Sequence, residues 1–182
     1  MTIPTIFGDT PDNILQSFTD AIAGRSMQLY YACSANGNYV LSRDVGTSYP
    51  LSLTMTTGAQ PAEEMNFDLT INKVTTIAGI GFLDYYVSMV ANSGATLTIR
   101  ILHVSAGAVE TQIASASNGF SMSSTNSGKI KLDITRTTFA IGTKLRMEVI
   151  LDLAGDASTT LYFNPKVAGN ELMVWIPVVN ME

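Results

Sequence analysis

The clearest helical pattern lies near the start of the chain. Thr10 and Pro11 suit the N-cap and the first helical position, and Gly24 suits the position that ends a helix. The apolar residues between them share one stripe of a helix with about 3.6 residues per turn: Ile14, Leu15, Phe18, Ala21 and Ile22. An isolated helix of about thirteen residues is marginal in water, so we expect the stripe to pack on another element.

After Arg25 the period of the apolar residues changes to two, which is the spacing of side chains on one face of a strand. The alternation is regular over residues 51–56, 65–71, 129–134 and 144–151. The charged residues inside these segments all fall on the alternate positions. The pattern predicts half-buried strands with one face in solvent.

Three further segments, residues 81–90, 97–104 and 172–179, are apolar on both faces for part of their length. Such strands are central in a sheet, or covered by another element or by another chain. Pro177 cannot donate to a strand ladder, so we expect the last of these strands to lie at an edge or to end there. Residues 106–117 fit either a short helix or a strand, and we favour a strand.

Turn signals recur about every ten residues after the first segment, for example Asn-Gly at 118–119 and Asn-Ser-Gly at 126–128. Many short strands at this spacing, without helices between them, predict an all-β, antiparallel β-sandwich of the jelly-roll type. We expect residues 1–25 to form an N-terminal arm and helix, and residues 26–182 to form the β-sandwich domain.

Composition narrows the function classes. Of 182 residues, 46% are hydrophobic and only 14% are charged, against about a quarter charged in typical domains. This excludes a disordered chain, and the net charge of −5 argues against a nucleic-acid partner. No run reaches the roughly twenty apolar residues of a membrane span, and the first residues lack a secretory signal, so we expect synthesis in a cytoplasm.

Candidate catalytic and metal-binding residues are few. A single histidine, His103, and a single cysteine, Cys33, exclude the common zinc sites. We expect His103 to be a buried or strand-end imidazole bonded to a backbone carbonyl, and Cys33 to be a packed thiol. Asp152 and Asp156 fit a turn better than a calcium loop, and no Gly-x-Ser-x-Gly elbow occurs. The sequence predicts no catalytic, metal or cofactor site and a protein that is not an enzyme.

Both ends of the chain offer apolar surface to a partner. The arm is uncharged up to Gly8, and it either folds back on its own domain or adds to the sheet edge of a neighbouring subunit. The candidate partner-binding residues are Ile3, Pro4, Ile6, Phe7, Trp175 and Ile176. Several tyrosines leave carbohydrate binding as an alternative, because β-sandwiches can present aromatic side chains to sugars; Tyr85 and Tyr86 must point to opposite faces.

Residues 137–149, in which a polar strand leads through a Phe-x-x-Gly turn into an alternating strand, resemble the late strand pair of jelly-roll modules in tailed-phage virion proteins, with residues 160–164 following. The Thr-rich, Lys-poor composition and the short N-terminal helix are similar to capsid decoration, head-fibre base and tail-adaptor proteins. The resemblance implies a non-enzymatic, trimeric virion subunit, made in the host cytoplasm, that contacts the major capsid protein or other virion subunits. It carries no ligand or catalytic residue.

We therefore expect a phage virion structural protein, such as a decoration or neck-attached subunit, that acts by protein–protein assembly without cofactor, nucleic acid or membrane. The alternative is a carbohydrate-binding or receptor-binding β-sandwich module.

Overall fold

The structure is a computed structural model that describes residues 25–35, 38–43, 51–55, 63–90, 95–120, 125–153, 158–163 and 172–179. These residues form β-strands and no helix, which confirms the all-β prediction; the predicted arm and helix, apart from Arg25, lie outside the described residues. The strands are β1 (Arg25–Ala35), β2 (Asn38–Ser42), β3 (Leu51–Met55), β4 (Glu63–Thr70), β5 (Thr75–Val90), β6 (Ala95–Val104), β7 (Glu110–Phe120), β8 (Thr125–Phe139), β9 (Lys144–Leu153), β10 (Ser158–Phe163) and β11 (Met173–Val179).

All eleven strands are hydrogen-bonded into one sheet, in the order β3-β10-β5-β11-β1-β2-β4-β9-β6-β7, with β8 on the other side of β5. The pairing is antiparallel except between β2 and β4, which meet in parallel where Val40 lies opposite Asp68. The sheet is therefore mixed. It curls so that β7 packs beside β8 and β3 approaches β4, and it encloses one core.

The core is built from the inward positions of alternating strands. In β9 and β6 these positions are at most 2% exposed: Leu145, Met147, Val149, Leu151, Leu97, Ile99 and Ile101. They lie directly opposite one another in the register, for example Ile99 with Val149. Burying a side chain of this size contributes about 1.5–3 kcal/mol, so this strand pair is a strong source of stability.

The segments that are apolar on both faces became β5, β6 and β11, and each is paired on both sides, as predicted. The expectation that Pro177 marks a sheet edge is wrong, because β11 lies between β1 and β5. The register between β11 and β5 shifts between Trp175 and Val178. This irregularity includes Pro177, so its missing N–H falls where the ladder is already interrupted.

Two predicted turns are strand interior instead. Asn118 and Gly119 lie in β7, and Gly128 lies in β8. Asn118 donates from Nδ2 to the hydroxyl of Tyr85 on β5, at 2.6 Å, and Gly128 faces the same tyrosine. A Cβ on Gly128 would lie 2.8 Å from the Tyr85 hydroxyl oxygen. Asn118 therefore binds Tyr85, and Gly128 makes room for it.

The strand that we favoured for residues 106–117 is confirmed from Glu110 onward, where β7 begins.

The Phe-x-x-Gly segment connects β8 to β9, but these two strands pair with different neighbours. Phe139 is fully buried, and Gly142 adopts a φ of 84°, which glycine tolerates best. The Gly142 N–H donates to the carbonyl of Ile71 at 2.9 Å. The connection between β8 and β9 is thus hydrogen-bonded to the residues that follow β4.

Candidate functional site

A cleft of about 540 Å³ opens where β1, β2 and β11 meet the connection between β4 and β5. Its apolar lining includes the buried residues Leu41, Ile71 and Val178. Its volume falls in the range of about 300–1,000 Å³ that is typical of small-molecule sites. The remaining wall is largely polar: Gln28, Tyr30, Ser42, Arg43, Thr70, Asn72, Lys73 and Thr75.

Three of these polar residues form a hydrogen-bonded cluster on one wall. Tyr30 donates from its hydroxyl to Oε1 of Gln28 at 2.6 Å, and Arg43 donates from Nη2 to the same oxygen. The Arg43 guanidinium carbon also lies 5.5 Å from the centre of the Tyr30 ring. Ring and amide therefore hold the guanidinium at the mouth of the cleft, although Arg43 is an exposed residue.

The charge of the cleft is positive. Arg43 and Lys73 contribute cations, and the described lining contains no acidic residue. A guanidinium has five N–H donors in a planar fork, and the bonds to Gln28 and Tyr30 come from Nη2. The other donors can therefore hold a carboxylate or a similar planar anion.

A second polar group of residues spans the outer surface of β4, β9 and β7. Arg146 donates to the two carboxylate oxygens of Asp68 from Nε and Nη2, at 2.7 and 2.9 Å. Lys144 donates to Asp68 at 3.0 Å, and Arg146 also donates to Glu110 at 2.5 Å. The alternation of β9 places Lys144 and Arg146 on one face, and the register sets Asp68 opposite Arg146.

These contacts shift two pKa values. Burial by itself would raise the pKa of Asp68, but the hydrogen bonds from Arg146 and Lys144 outweigh it and hold that pKa below its ordinary value. The same bond from Arg146 to Asp68 raises the pKa of the guanidinium. A carboxylate held ionised by two cations is a poor general acid or base at neutral pH, so the arrangement fits cross-strand stabilisation better than catalysis.

The histidine and cysteine have packing roles. His103 contacts Phe139 edge to face, with 4.8 Å between ring centres, and its buried Nε2 finds no hydrogen-bond partner among the described residues. The side chain as a whole is half-buried, and no described carbonyl reaches the buried Nε2, so the predicted carbonyl bond is not seen there. Cys33 is 2% exposed. Asp152 is exposed near the end of β9, and Asp156 lies outside the described residues. Among the described residues, no group of three or more His, Cys, Asp or Glu side chains could hold a metal ion.

Of the predicted partner-binding residues, the structure describes only Trp175 and Ile176. Ile3, Pro4, Ile6 and Phe7 lie outside the described residues. Trp175 is half-buried on the outer side of β11, whereas Ile176 is 1% exposed in the core. Neighbours in a strand point to opposite faces, so the two could not share one surface. In the described part of the chain, no helix is long and apolar enough to cross a membrane.

Sequence reasoning missed the cleft residues Gln28, Arg43 and Lys73. They come from three separate segments with no shared motif, and only the strand order places them around one opening. Their one sequence signal is that Arg43 and Lys73 are cations in a chain with only ten Lys and Arg residues.

No protein-family model matches the chain, and no curated protein sequence matches it. Solved structures do share its fold. A CocE/NonD family hydrolase from Staphylococcus aureus superposes with a TM-score of 0.67 at 14% identity, covering 85% of this chain and 37% of the hydrolase. An aminopeptidase from a marine sediment Thaumarchaeota archaeon gives a TM-score of 0.63 at 8% identity, covering 84% and 37%. An α-amino acid ester hydrolase gives 0.60 at 12% identity, covering 84% and 36%.

These likenesses concern the fold, and the chain spans a little over a third of each hydrolase. The prediction that the protein is not an enzyme is contradicted by them, because its fold is one that hydrolases contain. That prediction relied on the missing Gly-x-Ser-x-Gly elbow. A motif missing from this chain does not decide the matter when the match leaves most of each hydrolase uncovered.

Proposed function

We propose that this chain is a carbohydrate-binding domain with a jelly-roll-like sandwich architecture, and that the cleft beside Tyr30 and Arg43 is its binding site. The observation that carries the proposal is the composition of the cleft wall. Buried apolar residues alternate there with amide, hydroxyl and cationic groups. Sugars present the same mixture of C–H surfaces and hydroxyl groups, so both parts of the wall find a partner.

The cations favour an acidic sugar over a neutral one. Arg43 and Lys73 face the cleft without an acidic neighbour in its described lining, although the chain as a whole carries a net charge of −5. A carboxylate-bearing sugar would pair with the Arg43 fork, while its hydroxyls would bond to Gln28 and Asn72. The ligand class that fits best is therefore a glycan with a uronic or sialic acid unit.

The shared fold is compatible with a role beside hydrolysis. A domain that corresponds to 37% of a hydrolase can contribute by holding the substrate while another part of the enzyme cleaves it. On this proposal, the chain supplies substrate recognition.

A glycan array containing neutral and acidic sugars tests the proposal. We expect binding to acidic glycans, and we expect Arg43→Ala to weaken it roughly ten- to a hundredfold, because a hydrogen bond to a charged group is worth about 1.5–3 kcal/mol. Lys73→Ala should weaken it less. Lys131→Ala is the matched control, since it removes an exposed cation from β8, outside the cleft. The proposal would be contradicted if no glycan on the array bound, or if Lys131→Ala weakened binding as much as Arg43→Ala.

A second candidate is the virion structural subunit, a trimer bound to the major capsid protein or to neighbouring virion subunits. It is favoured by the charged content of 14%, against about a quarter in typical domains. Particle binding and light scattering test it. A stable monomer that does not bind particles would count against it.

A further inference from the structure

One side of the sheet formed by β1, β11 and β5 is apolar although it faces away from the core. Tyr30, Ala32 and Val174 point into the core, so the alternate residues of these strands point outward. The outward residues are half-buried, and together they define the outer face: Leu29, Tyr31, Phe82, Tyr86, Met173 and Trp175.

The register aligns these side chains in rows. Leu29 lies opposite Trp175, and Trp175 lies opposite Phe82, which gives one apolar row across the three strands. In the next row Met173 lies opposite both Tyr31 and Asp84. Asp84 brings a charge to the outer face, but it is compensated.

Two groups compensate that carboxylate. The indole N–H of Trp175 donates to Asp84 at 3.0 Å, and Lys129 lies 3.4 Å from its other oxygen. The outer face thus presents apolar and neutralised groups, which are the surface that another apolar element covers most readily.

Cys33 extends this face along β1. It follows Leu29 and Tyr31 at the strand period, and it is only 2% exposed. A residue on the outer side of a sheet is buried to this degree when something lies over it.

The segment that leads into β1 has the size and chemistry to cover this face. Residues 11–23 carry an apolar stripe centred on Phe18, and they join β1 directly at Arg25. As a helix the segment would be about 20 Å long and about 10 Å wide. From Met27 to Cys33 the outer face is also about 20 Å long, and its three strands are about 10 Å apart from first to last.

We propose that the apolar stripe of residues 11–23 packs on the outer face of the same chain, across β1, β11 and β5. The covalent connection at Arg25 raises the effective concentration of the segment to the millimolar range, which favours this occupant over a segment from a second copy. Contact with the stripe closes Cys33 and Trp175 off from solvent.

The chain carries its own probes for this contact, because Trp175 is its single tryptophan and Cys33 its single cysteine. Phe18→Asp places a charge in the centre of the stripe. Gln16→Asp is the matched control, since it lies about 160° away around the helix. We expect Phe18→Asp to shift the Trp175 emission to longer wavelength and to speed labelling of Cys33 by an aromatic disulfide reagent at least tenfold. Gln16→Asp should leave both unchanged.

Unchanged emission and labelling in Phe18→Asp would overturn the proposal. So would a wild-type protein in which Cys33 protection is lost on dilution while light scattering shows a dimer becoming a monomer, because the occupant would then come from a second copy. If Phe18→Asp fails to fold, hydrogen exchange of the wild-type monomer decides. Amides of residues 15–23, which have acceptors within the helix, should be protected at least tenfold, and unprotected amides there would refute the packing.

Discussion

Gly81 offers a sharp test of how closely β5 and β11 approach. An added Cβ there would lie 2.7 Å from the carbonyl oxygen of Trp175 and 2.9 Å from Cδ1 of Ile134. Ile134 can change rotamer, but the Trp175 carbonyl belongs to a strand held between β1 and β5. We therefore expect Gly81→Ala to lower the free energy of unfolding by about 1–3 kcal/mol, the cost of an overpacked core. In a domain of this size Tm should fall by about 2–4 °C per kcal/mol.

Urea unfolding followed by far-ultraviolet circular dichroism measures this change. Gly119→Ala is the control: it is a strand glycine as well, but its added Cβ would meet nothing within 4 Å. For this control we expect the free energy of unfolding to stay unchanged or to rise by up to about 1 kcal/mol, because alanine restricts the unfolded chain. If Gly81→Ala matches the wild type within about 0.5 kcal/mol, the close approach of the two strands is refuted.

Three further substitutions test the core, the ionic cluster and the cross-sheet hydrogen bond. Leu97→Ala leaves a cavity at a fully buried site and should lower the free energy of unfolding, measured by thermal unfolding, by about 2–5 kcal/mol. A decrease of less than about 1 kcal/mol would contradict the packing. Because the folded pKa of Asp68 is lowered, its stabilisation is present at pH 7 and is lost as the pH falls below about 4. The wild type should therefore unfold at a higher urea concentration than Asp68→Asn at pH 7, and this difference in midpoint should become smaller at pH 3. A difference that does not change with pH would count against the ion pairs. A double-mutant cycle of Asn118→Ala and Tyr85→Phe should give a coupling of about 0.5–1.5 kcal/mol, and zero coupling would exclude the bond as a stabilising contact.

Strand identity could be predicted where one face is buried. The alternation over residues 144–151 specifies β9 and its inward side chains, since a slip of one residue would expose the whole apolar set. The same reasoning failed where local signals compete with tertiary contacts. Asn118 and Gly119 form a turn signal, but the Asn118 side chain donates a hydrogen bond to Tyr85, which is distant in sequence. Pro177 is accommodated in a central strand because the register shifts there.

The cleft could not have been predicted in the same way. Gln28, Arg43 and Lys73 become neighbours through the parallel contact of β2 with β4 and the placement of β11 beside β1, and none of these pairings has a local sequence signature. The segment after β4 is fixed by the Ile71 backbone, which bonds to Thr143 and Gly142 of the connection between β8 and β9. The position of Lys73 thus depends on residues about seventy positions away.

The scarcity of charge gives the cleft its significance. Asp68 is neutralised by Lys144 and Arg146, and the carboxylate of Glu148 lies 3.0 Å from Arg100, so these side chains satisfy one another across the strands. Arg43 differs, because its described contacts are the neutral side chains of Gln28 and Tyr30. An arginine fixed by neutral partners keeps its full charge for a third group, whereas one paired with a carboxylate does not. In a chain with so few ions, that difference marks the cleft and not the ionic cluster as the place where an anionic ligand would gain most from binding.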